Sequence, residues 1–110
     1  MKNTANFYEQ VYELVKLVPK GRVTTYGAVA KSLGMSGSSR MVGTAMKHAH
    51  DPSLNVPAHR VVNRTGLLTG KHHYQTPTEM QELLEKEGII VIDDQVQDFE
   101  RKFWNPLVEL

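Results

Sequence analysis

Two short helical segments that flank a glycine-containing turn constrain the fold of this chain more than any other feature. Residues 23–34 contain a threonine pair that can cap a helix of small residues, and Gly34 suits the left-handed backbone that ends such a helix. A second short helix is expected over residues 38–47, after a serine cap. Two helices joined in this way are typical of a helix-turn-helix. The small residues of the second helix suit close approach to another surface, or tight packing inside the domain.

Shorter signals on either side predict one more helix and a little sheet. Apolar residues recur at helical spacing from about residue 4 to 18, with Thr4 near the N-cap, and residues 19–21 end this helix. Residues 57–62 indicate a turn that enters a short extended segment. A hairpin-like reversal is expected at residues 63–66, which could build the wing beside a helix-turn-helix.

The clearest local signal lies in the second half of the chain. Thr76-Pro77-Thr78-Glu79 has the pattern of a capping box, with Thr76 as N-cap and Glu79 as its reciprocal partner. The helix is expected to run to residues 86–87 and to end at Gly88, before a short strand at 89–92. In the tail, residues 93–110, an exposed aromatic cluster would be costly, so three residues should pack back onto the domain: Phe99, Phe103 and Trp104.

Length limits the number of domains. With 110 residues, of which 40% are hydrophobic, the chain is expected to form a single domain over residues 1–110, mainly α-helical with a small β wing. The first residues lead into an amphipathic pattern rather than an apolar run, so neither a signal peptide nor a membrane span is expected. The predicted location is the cytoplasm, associated with the nucleoid, or the nucleus in a eukaryote.

Charge is distributed unevenly, although the net charge is only +1. Residues 20–73 carry eight Lys or Arg against one acid, Asp51, whereas residues 74–110 carry nine acids against three basic residues. Such a distribution occurs by ordinary surface variation, but it also suits a cationic segment that meets phosphates and an acidic remainder that limits indiscriminate binding.

The absence of cysteine excludes whole classes of chemistry. With no cysteine in the chain, disulfides, thiolate zinc sites and cysteine nucleophiles are ruled out. The histidines at 48, 50, 72 and 73 lack an established ligand spacing, so neither a metal nor a cofactor is expected.

Four ordered motifs carry a resemblance to a known family: Thr24-Thr25-Tyr26, Ser39-Arg40-Met41-Val42-Gly43, Pro57-Ala58-His59-Arg60-Val61-Val62 and Glu87-Gly88. In order and spacing, over roughly residues 7 to 92, they resemble the C-terminal domain of O6-alkylguanine-DNA alkyltransferases. The resemblance implies a winged helix-turn-helix-like DNA-binding domain.

One substitution places the chain within a subgroup of that family. The enzymes have Pro-Cys-His-Arg-Val, whose cysteine accepts the alkyl group of a flipped guanine, and this chain has Ala58 at that position. An alanine methyl group has no lone pair with which to attack an alkyl carbon, so no catalytic residue is expected. The chain therefore resembles the alkyltransferase-like proteins, which keep lesion recognition and are thought to pass the lesion to nucleotide excision repair.

The resemblance also implies roles for individual residues. Arg40 would fill the space left by the flipped base, and Tyr26 would crowd the phosphate beside the lesion. Without the surrounding motifs, Arg40 could equally be a phosphate contact or an ion-pair partner, and Tyr26 a core residue. Ser39 and Gly43 would complete the DNA-binding face of the second helix. The lesion pocket would be formed by Met46, Pro57, Ala58, Val61, His73 and Tyr74.

The remaining motif residues are expected to support the loop. His59 and Glu87 match the histidine and glutamate that relay a proton away from the cysteine in the enzymes, and without a thiol their expected role is to hold the loop that carries Ala58. Arg60 could likewise orient the loop rather than contact DNA. Two departures from the enzymes affect the details of the contacts: bulkier residues at 71–75 replace a glycine- and serine-rich pocket loop, and Met41 replaces an alanine on the groove-facing helix.

Taken together, these features predict a non-enzymatic protein, expected to be monomeric, that binds double-stranded DNA containing O6-alkylguanine from the minor groove and flips the damaged nucleotide. Nucleotide excision repair proteins are the expected further partners. One alternative is a winged-helix regulator that binds a DNA sequence in the major groove. Another is a hydrolase or glycosylase in which His59 and Glu87 activate water.

Overall fold

The computed structural model describes the backbone of residues 4–110 and the surroundings of side chains from Phe7 onward. Over this range the α-helices are α1 (Thr4–Val15), α2 (Tyr26–Ser32), α3 (Ser39–Lys47), α4 (Glu79–Lys86), α5 (Phe99–Lys102) and α6 (Pro106–Glu109). The two-residue strands are β1 (Thr24–Thr25), β2 (Val61–Val62), β3 (Val91–Ile92) and β4 (Gln95–Val96). Single 3-10 turns cover Pro52–Leu54, Ala58–Arg60 and Lys71–His73. The mainly helical fold with small sheets confirms the predicted class.

The buried hydrophobic residues form two clusters, and helix α1 contributes its apolar face to the first of them, here called the first core. This face packs against α2 and α3, with Val11 and Val15 fully buried. The helix begins at Thr4 and ends at Val15, three residues earlier than the periodicity predicts. The amides of Leu17 and Val18 donate to carbonyls three residues back, so the chain continues as a tighter turn that still buries Val18.

The helix-turn-helix forms where the sequence predicts it. The Thr25 hydroxyl accepts a hydrogen bond from the Ala28 amide at 3.0 Å, which caps α2. Gly34 has a φ of +75° and ends that helix, as the left-handed position requires. Helix α3 begins after Ser38 as expected, but the Ser38 side chain makes no capping hydrogen bond, so the serine-cap detail is wrong.

The wing differs from the expected hairpin. Residues 63–66 do reverse the chain, with the Gly66 amide donating to the Asn63 carbonyl at 2.9 Å. However, β2 before the turn pairs in parallel with β1, residue 61 opposite residue 24. The antiparallel hairpin is formed instead by β3 and β4, and Leu67 joins it through a single bridge to Gln95.

The capping-box prediction at residues 76–79 is wrong. Helix α4 begins at Glu79 rather than Pro77, and the Glu79 carboxylate accepts a hydrogen bond from the Gln75 amide at 3.3 Å. The Thr78 hydroxyl bonds the carboxylate of Glu82 at 2.7 Å, so it does not cap the backbone. The predicted end is correct, since α4 finishes at Lys86 and Gly88 has a φ of +87°.

The second cluster of buried hydrophobic residues, here called the second core, lies between α4 and the short strands, and Phe99 of the tail packs against it. Trp104 is 4% exposed, and Phe99 and Phe103 stack with 5.6 Å between ring centroids. Val23 exchanges backbone hydrogen bonds with the tail, since its amide donates to Lys102 and its carbonyl accepts from Trp104. The Arg22 guanidinium donates to the Phe103 carbonyl at 2.7 Å and pairs with Glu109.

Candidate nucleic-acid interface

A cavity of about 480 Å³ opens between the start of α2, the exposed side of α3 and the loop of residues 69–74. It lies where the two helices of the helix-turn-helix meet the chain that follows β2. The lining residues are Tyr26, Ser39, Arg40, Gly43, Thr44, Met46, Lys47, His50, Ala58, Val61, Thr69, Gly70, His73, Tyr74 and Met80.

Helix α3 presents small and cationic residues beside the cavity mouth. Ser39 and Arg40 are exposed at its first turn, and Gly43 lies one turn further along the helix. A Cβ atom at Gly43 would meet nothing within 4 Å, so this face of the helix is open. Met41, the expected departure from the enzymes, is 42% exposed on the same helix. This surface can approach another molecule closely.

Tyr26 lies under the loop that closes the cavity. Burial raises the pKa of Tyr26, an effect partly offset by a hydrogen bond with Thr69. A Cβ atom at Gly70 would lie 3.1 Å from the Tyr26 hydroxyl, so the loop approaches the ring at a position where only glycine fits without displacement. The Tyr26 side chain therefore packs closely against the loop of residues 69–74.

Ala58 begins the 3-10 turn that carries the central motif, and it is one of the residues that line the cavity. The turn is held by Glu87 at the end of α4, whose carboxylate accepts hydrogen bonds from His59 Nε2 at 2.8 Å and from Arg60 Nη2 at 2.8 Å. The Gly21 amide donates to the same carboxylate at 3.3 Å. The carboxylate of Glu87 thus joins three segments: its own, the turn of residues 58–60 and the chain at Gly21. Arg60 Nη1 also donates to the Val18 carbonyl at 2.9 Å, which ties the turn to the end of the first helical segment.

The electrostatics of this network favour an ionised Glu87. Burial by itself would raise the pKa of Glu87, but hydrogen bonds from Arg60, His59 and the Gly21 amide outweigh it and lower the pKa to about 2. Burial lowers the pKa of His59, with partial opposition from Glu87. A neutral imidazole thus donates to a carboxylate whose charge is balanced by Arg60.

Aromatic and imidazole rings form the far wall of the cavity. The His50 ring lies edge-on to Tyr74 with 4.5 Å between centroids, and 6.2 Å from the His73 ring. Burial raises the pKa of Tyr74, and the nearby Glu79 carboxylate adds to this effect. His73 and Tyr74 are among the residues expected at the pocket.

The structure brings most of the predicted site residues to one place. Nine of them line the cavity, whereas Pro57 precedes Ala58 on the turn without being among the lining residues. His59, Arg60 and Glu87 lie behind the turn, in the network described above. Sequence reasoning did not assign six lining residues to the site: Thr44, Lys47, His50, Thr69, Gly70 and Met80. Thr44 and Lys47 lie on the same α3 face as Arg40 and Gly43, so helical periodicity could have found them.

The cationic segment is partly neutralised by the acidic part of the chain. Of its eight basic residues, three pair with later acids: Arg22 with Glu109, Arg60 with Glu87 and Lys71 with Asp94. Five others are exposed and make no ion pair among the described residues: Lys20, Lys31, Arg40, Lys47 and Arg64.

Within residues 4–110, no three His, Cys, Asp or Glu side chains are grouped so that they could hold a metal ion. The helices of this same range are too short and too polar to cross a bilayer.

Comparison with known proteins places the chain beside DNA-damage proteins. Residues 6–89 match the family model described as the DNA-binding domain of 6-O-methylguanine DNA methyltransferase. The chain is 35% identical to alkyltransferase-like protein 1 of Schizosaccharomyces pombe, over 91% of this chain and 95% of that protein. It is 38% identical to the DNA base-flipping protein of Escherichia coli, over 96% of this chain and 79% of that protein.

Solved structures agree in fold. The S. pombe alkyltransferase-like protein, crystallised with damaged DNA that contains O6-carboxymethylguanine, superposes with a TM-score of 0.81 at 34% identity, covering 96% of this chain and 100% of that one. The methyltransferase of Mycobacterium tuberculosis in complex with DNA gives a TM-score of 0.63 at 34% identity, covering 74% of this chain and 49% of that one.

Proposed function

This chain belongs to the 6-O-methylguanine-DNA methyltransferase family, among its alkyltransferase-like members, and from that premise we propose that it recognises O6-alkylguanine in double-stranded DNA without repairing it. It binds from the minor groove through α3 and holds the flipped nucleotide in the cavity beside Ala58. Flipping is favoured at damaged pairs because less pairing energy is lost.

The observation that carries this proposal is the cavity itself. Its lining includes Arg40, Tyr26 and Ala58. A base that leaves the stack at α3 therefore has a concave site within reach of the same helix. The relatives named for base flipping and crystallised with damaged DNA support this assignment.

Within this mechanism Arg40 takes the place of the flipped base, and Tyr26 displaces the adjacent phosphate. Ser39 and Gly43 allow the backbone of α3 to approach the groove. Met46, Val61, His73 and Tyr74 enclose the base, and Pro57 positions the turn before Ala58.

The protein leaves the alkyl group on the DNA. The chain has no cysteine, and we assign Ala58 to the position of the alkyl acceptor. A carbon side chain without a lone pair cannot displace guanine from the alkyl carbon. His59 and Glu87 then serve to hold the turn.

We further propose that the protein acts as a monomer in the cytoplasm, or in the nucleus of a eukaryote, and marks the lesion for nucleotide excision repair. A protein that binds the lesion and leaves the alkyl group in place does not restore the base, so removal of the lesion requires other activities.

The test is a titration of two duplexes that differ only in one O6-methyl group. We expect tighter binding to the methylated duplex, with no transfer of a labelled methyl group to the protein. Equal affinities together with discrimination between sequences would indicate a winged-helix regulator instead. Stoichiometric methyl transfer would falsify the non-enzymatic assignment.

A further inference from the structure

The hairpin of β3 and β4 has one edge that no other strand covers. Leu67 bridges to Gln95 on the far side of β4, so β4 lies in the middle and β3 at the edge. The ladder between the two strands continues one residue further, where the Gln97 amide donates to the Ile90 carbonyl at 2.8 Å. Within the described part of the chain, no backbone group outside this hairpin hydrogen-bonds to residues 90–92.

The direction of the peptide bonds shows which groups face the free edge. A trans peptide unit places its carbonyl and its amide on opposite sides of the strand. The Ile90 carbonyl points toward Gln97, so the Val91 amide of the same unit points away from β4. Val91 is opposite Val96, at the non-hydrogen-bonded position of the antiparallel ladder, so its carbonyl also points outward. One donor and one acceptor therefore face the free edge.

Apolar side chains flank this edge on the outer face of the hairpin. Ile90 and Ile92 alternate with the buried Val91, so both project from the face opposite to it, and they are 64% and 55% exposed. Leu67 lies in register with Ile92 through Gln95 and is also exposed. Exposed edges are commonly protected by lysine, by proline or by a covering segment. This strand contains neither residue type, so the edge is open to an added strand.

The charge of the surrounding chain indicates what kind of strand would add there. From residue 81 onward, four exposed carboxylates make no ion pair with the described residues: Glu82, Glu85, Asp93 and Glu100. Lys86 is the one exposed cation of the same range that is also unpaired among described residues. Phosphates would be repelled from this surface, and a second copy of the chain would bring the same carboxylates with it. A segment with lysine or arginine would be attracted.

We propose that the β3 edge binds an extended segment of another protein by strand addition, and that this segment has alternating apolar residues and basic ends. Its main chain pairs with the Val91 amide and carbonyl, and its apolar side chains pack beside Ile90 and Ile92. No residue of β3 or β4 lines the cavity beside α3, so the segment and a flipped nucleotide occupy separate sites.

Three short synthetic peptides provide the test. In the first, valine alternates with threonine and the ends carry lysines; the second has glutamates at the ends; the third is the lysine peptide with alternate amides N-methylated. Fluorescence anisotropy without DNA should show the lysine peptide binding at least about tenfold more tightly than its N-methylated form, the scale of a few lost hydrogen bonds. The glutamate peptide should bind more weakly than the lysine peptide, by a factor that shrinks as salt rises.

Two double variants assign the binding to the β3 edge. Ile90→Thr with Ile92→Thr removes the apolar flanks but keeps β-branched side chains, and it should weaken binding of the lysine peptide. Leu107→Thr with Val108→Thr is the matched control, since these residues are 55% and 75% exposed on α6, which packs against α2. It should leave binding unchanged. If the first variant does not fold, hydrogen exchange in the wild type decides, because the Val91 amide should be protected only when the peptide is bound.

Several results would overturn strand addition at this edge. These are absence of binding by the lysine peptide, equal binding of its N-methylated form, and exchange of the Val91 amide that the peptide does not slow. Tighter binding of the glutamate peptide would overturn the basic character of the partner. Dimerisation that the threonine substitutions at Ile90 and Ile92 abolish would make a second copy the occupant instead. Because no DNA is present, none of these results bears on lesion recognition, which the duplex titration tests separately.

Discussion

Arg40 is exposed at the first turn of α3 and lines the mouth of the cavity, with no ion-pair partner among the described residues. A long cation left free in this position can enter the base stack, whereas one engaged by a carboxylate could not do so without breaking the pair. Geometry thus permits the role that the family resemblance predicts for it.

Replacing Arg40 by alanine should reduce the preference for lesion DNA. Without the side chain that fills the vacated stack, the flipped state loses on the order of 1–3 kcal/mol, the scale of the unstacking cost. The measurement is a pair of binding curves, with damaged and undamaged duplex, for each variant.

Lys31→Ala is the matched control for that experiment. Lys31 is exposed on α2 and lies outside the cavity lining, so its loss should change both curves by the same factor. If Arg40→Ala also lowers both curves equally, Arg40 is an ordinary phosphate contact and flipping loses its main support.

Residue types in motifs could be anticipated, but their neighbours in space could not. Only the family resemblance groups Arg60 with Glu87, since 27 residues separate the two in the chain. Nothing in the local sequence of His50 indicates that its ring meets Tyr74, which lies on another loop. Such contacts depend on tertiary packing.

At the scale of elements, the glycine stops were predicted more reliably than the side-chain caps, of which only that of Thr25 forms among the described residues. The Thr25 cap and the glycine stops at 34 and 88 appear where predicted. The capping box is wrong because the Glu79 carboxylate accepts a hydrogen bond from the Gln75 amide, one residue before the predicted cap Thr76, and the helix begins only at Glu79. The β1–β2 pair was not anticipated, since it joins residues 37 positions apart and consists of only two residues on each strand.

Glu87 connects α4 to the turn that carries Ala58, so replacing its carboxylate with the uncharged amide of glutamine tests that connection. Glu87→Gln should lower the free energy of unfolding at pH 7 by about 2–3 kcal/mol, the scale on which hydrogen bonds to charged groups stabilise proteins. Urea denaturation measures this loss. Glu85→Gln, an exposed change on the same helix, should cost less than about 0.5 kcal/mol.

The same variant should alter the dependence of stability on pH. The folded-state pKa of Glu87 is about 2, below its ordinary value of 4.5. A carboxylate with a depressed pKa stabilises the fold fully above the unfolded pKa, and that contribution is lost as pH falls toward the folded one. Between pH 4.5 and 2 the wild type should therefore lose more stability than Glu87→Gln; parallel curves would contradict the network.

For the whole molecule, the relevant charge is what remains after internal pairing. Five exposed cations of residues 20–73 stay free of ion pairs among the described residues, whereas three are paired with acids of residues 74–110. The net charge of +1 is therefore smaller than the positive charge that residues 20–73 present to DNA. The number of phosphate contacts should in turn be smaller than the eight basic residues of that segment.

Salt dependence of binding should reflect this smaller number. At about 0.9 counterions released per neutralised phosphate, five contacts give a slope of log K against log salt no steeper than about −4.5. Titrations of undamaged duplex from 50 to about 200 mM salt would measure it. A steeper slope would mean that further cations contact DNA, either residues outside 20–73 or Arg22, Arg60 or Lys71 released from their carboxylates. A flat response would place the interface elsewhere.

The hydrogen bonds between Val23 and the tail have a consequence for biosynthesis. The partners of Val23 are Lys102 and Trp104, near the end of the described chain. The acids that pair with Arg22, Arg60 and Lys71 likewise come later in the chain than these three basic residues. Translation proceeds from the N-terminus, so a ribosome exposes the helix-turn-helix and its cations before the residues that close the second core exist. During synthesis the chain therefore carries Arg22, Arg60 and Lys71 for a time without their carboxylate partners.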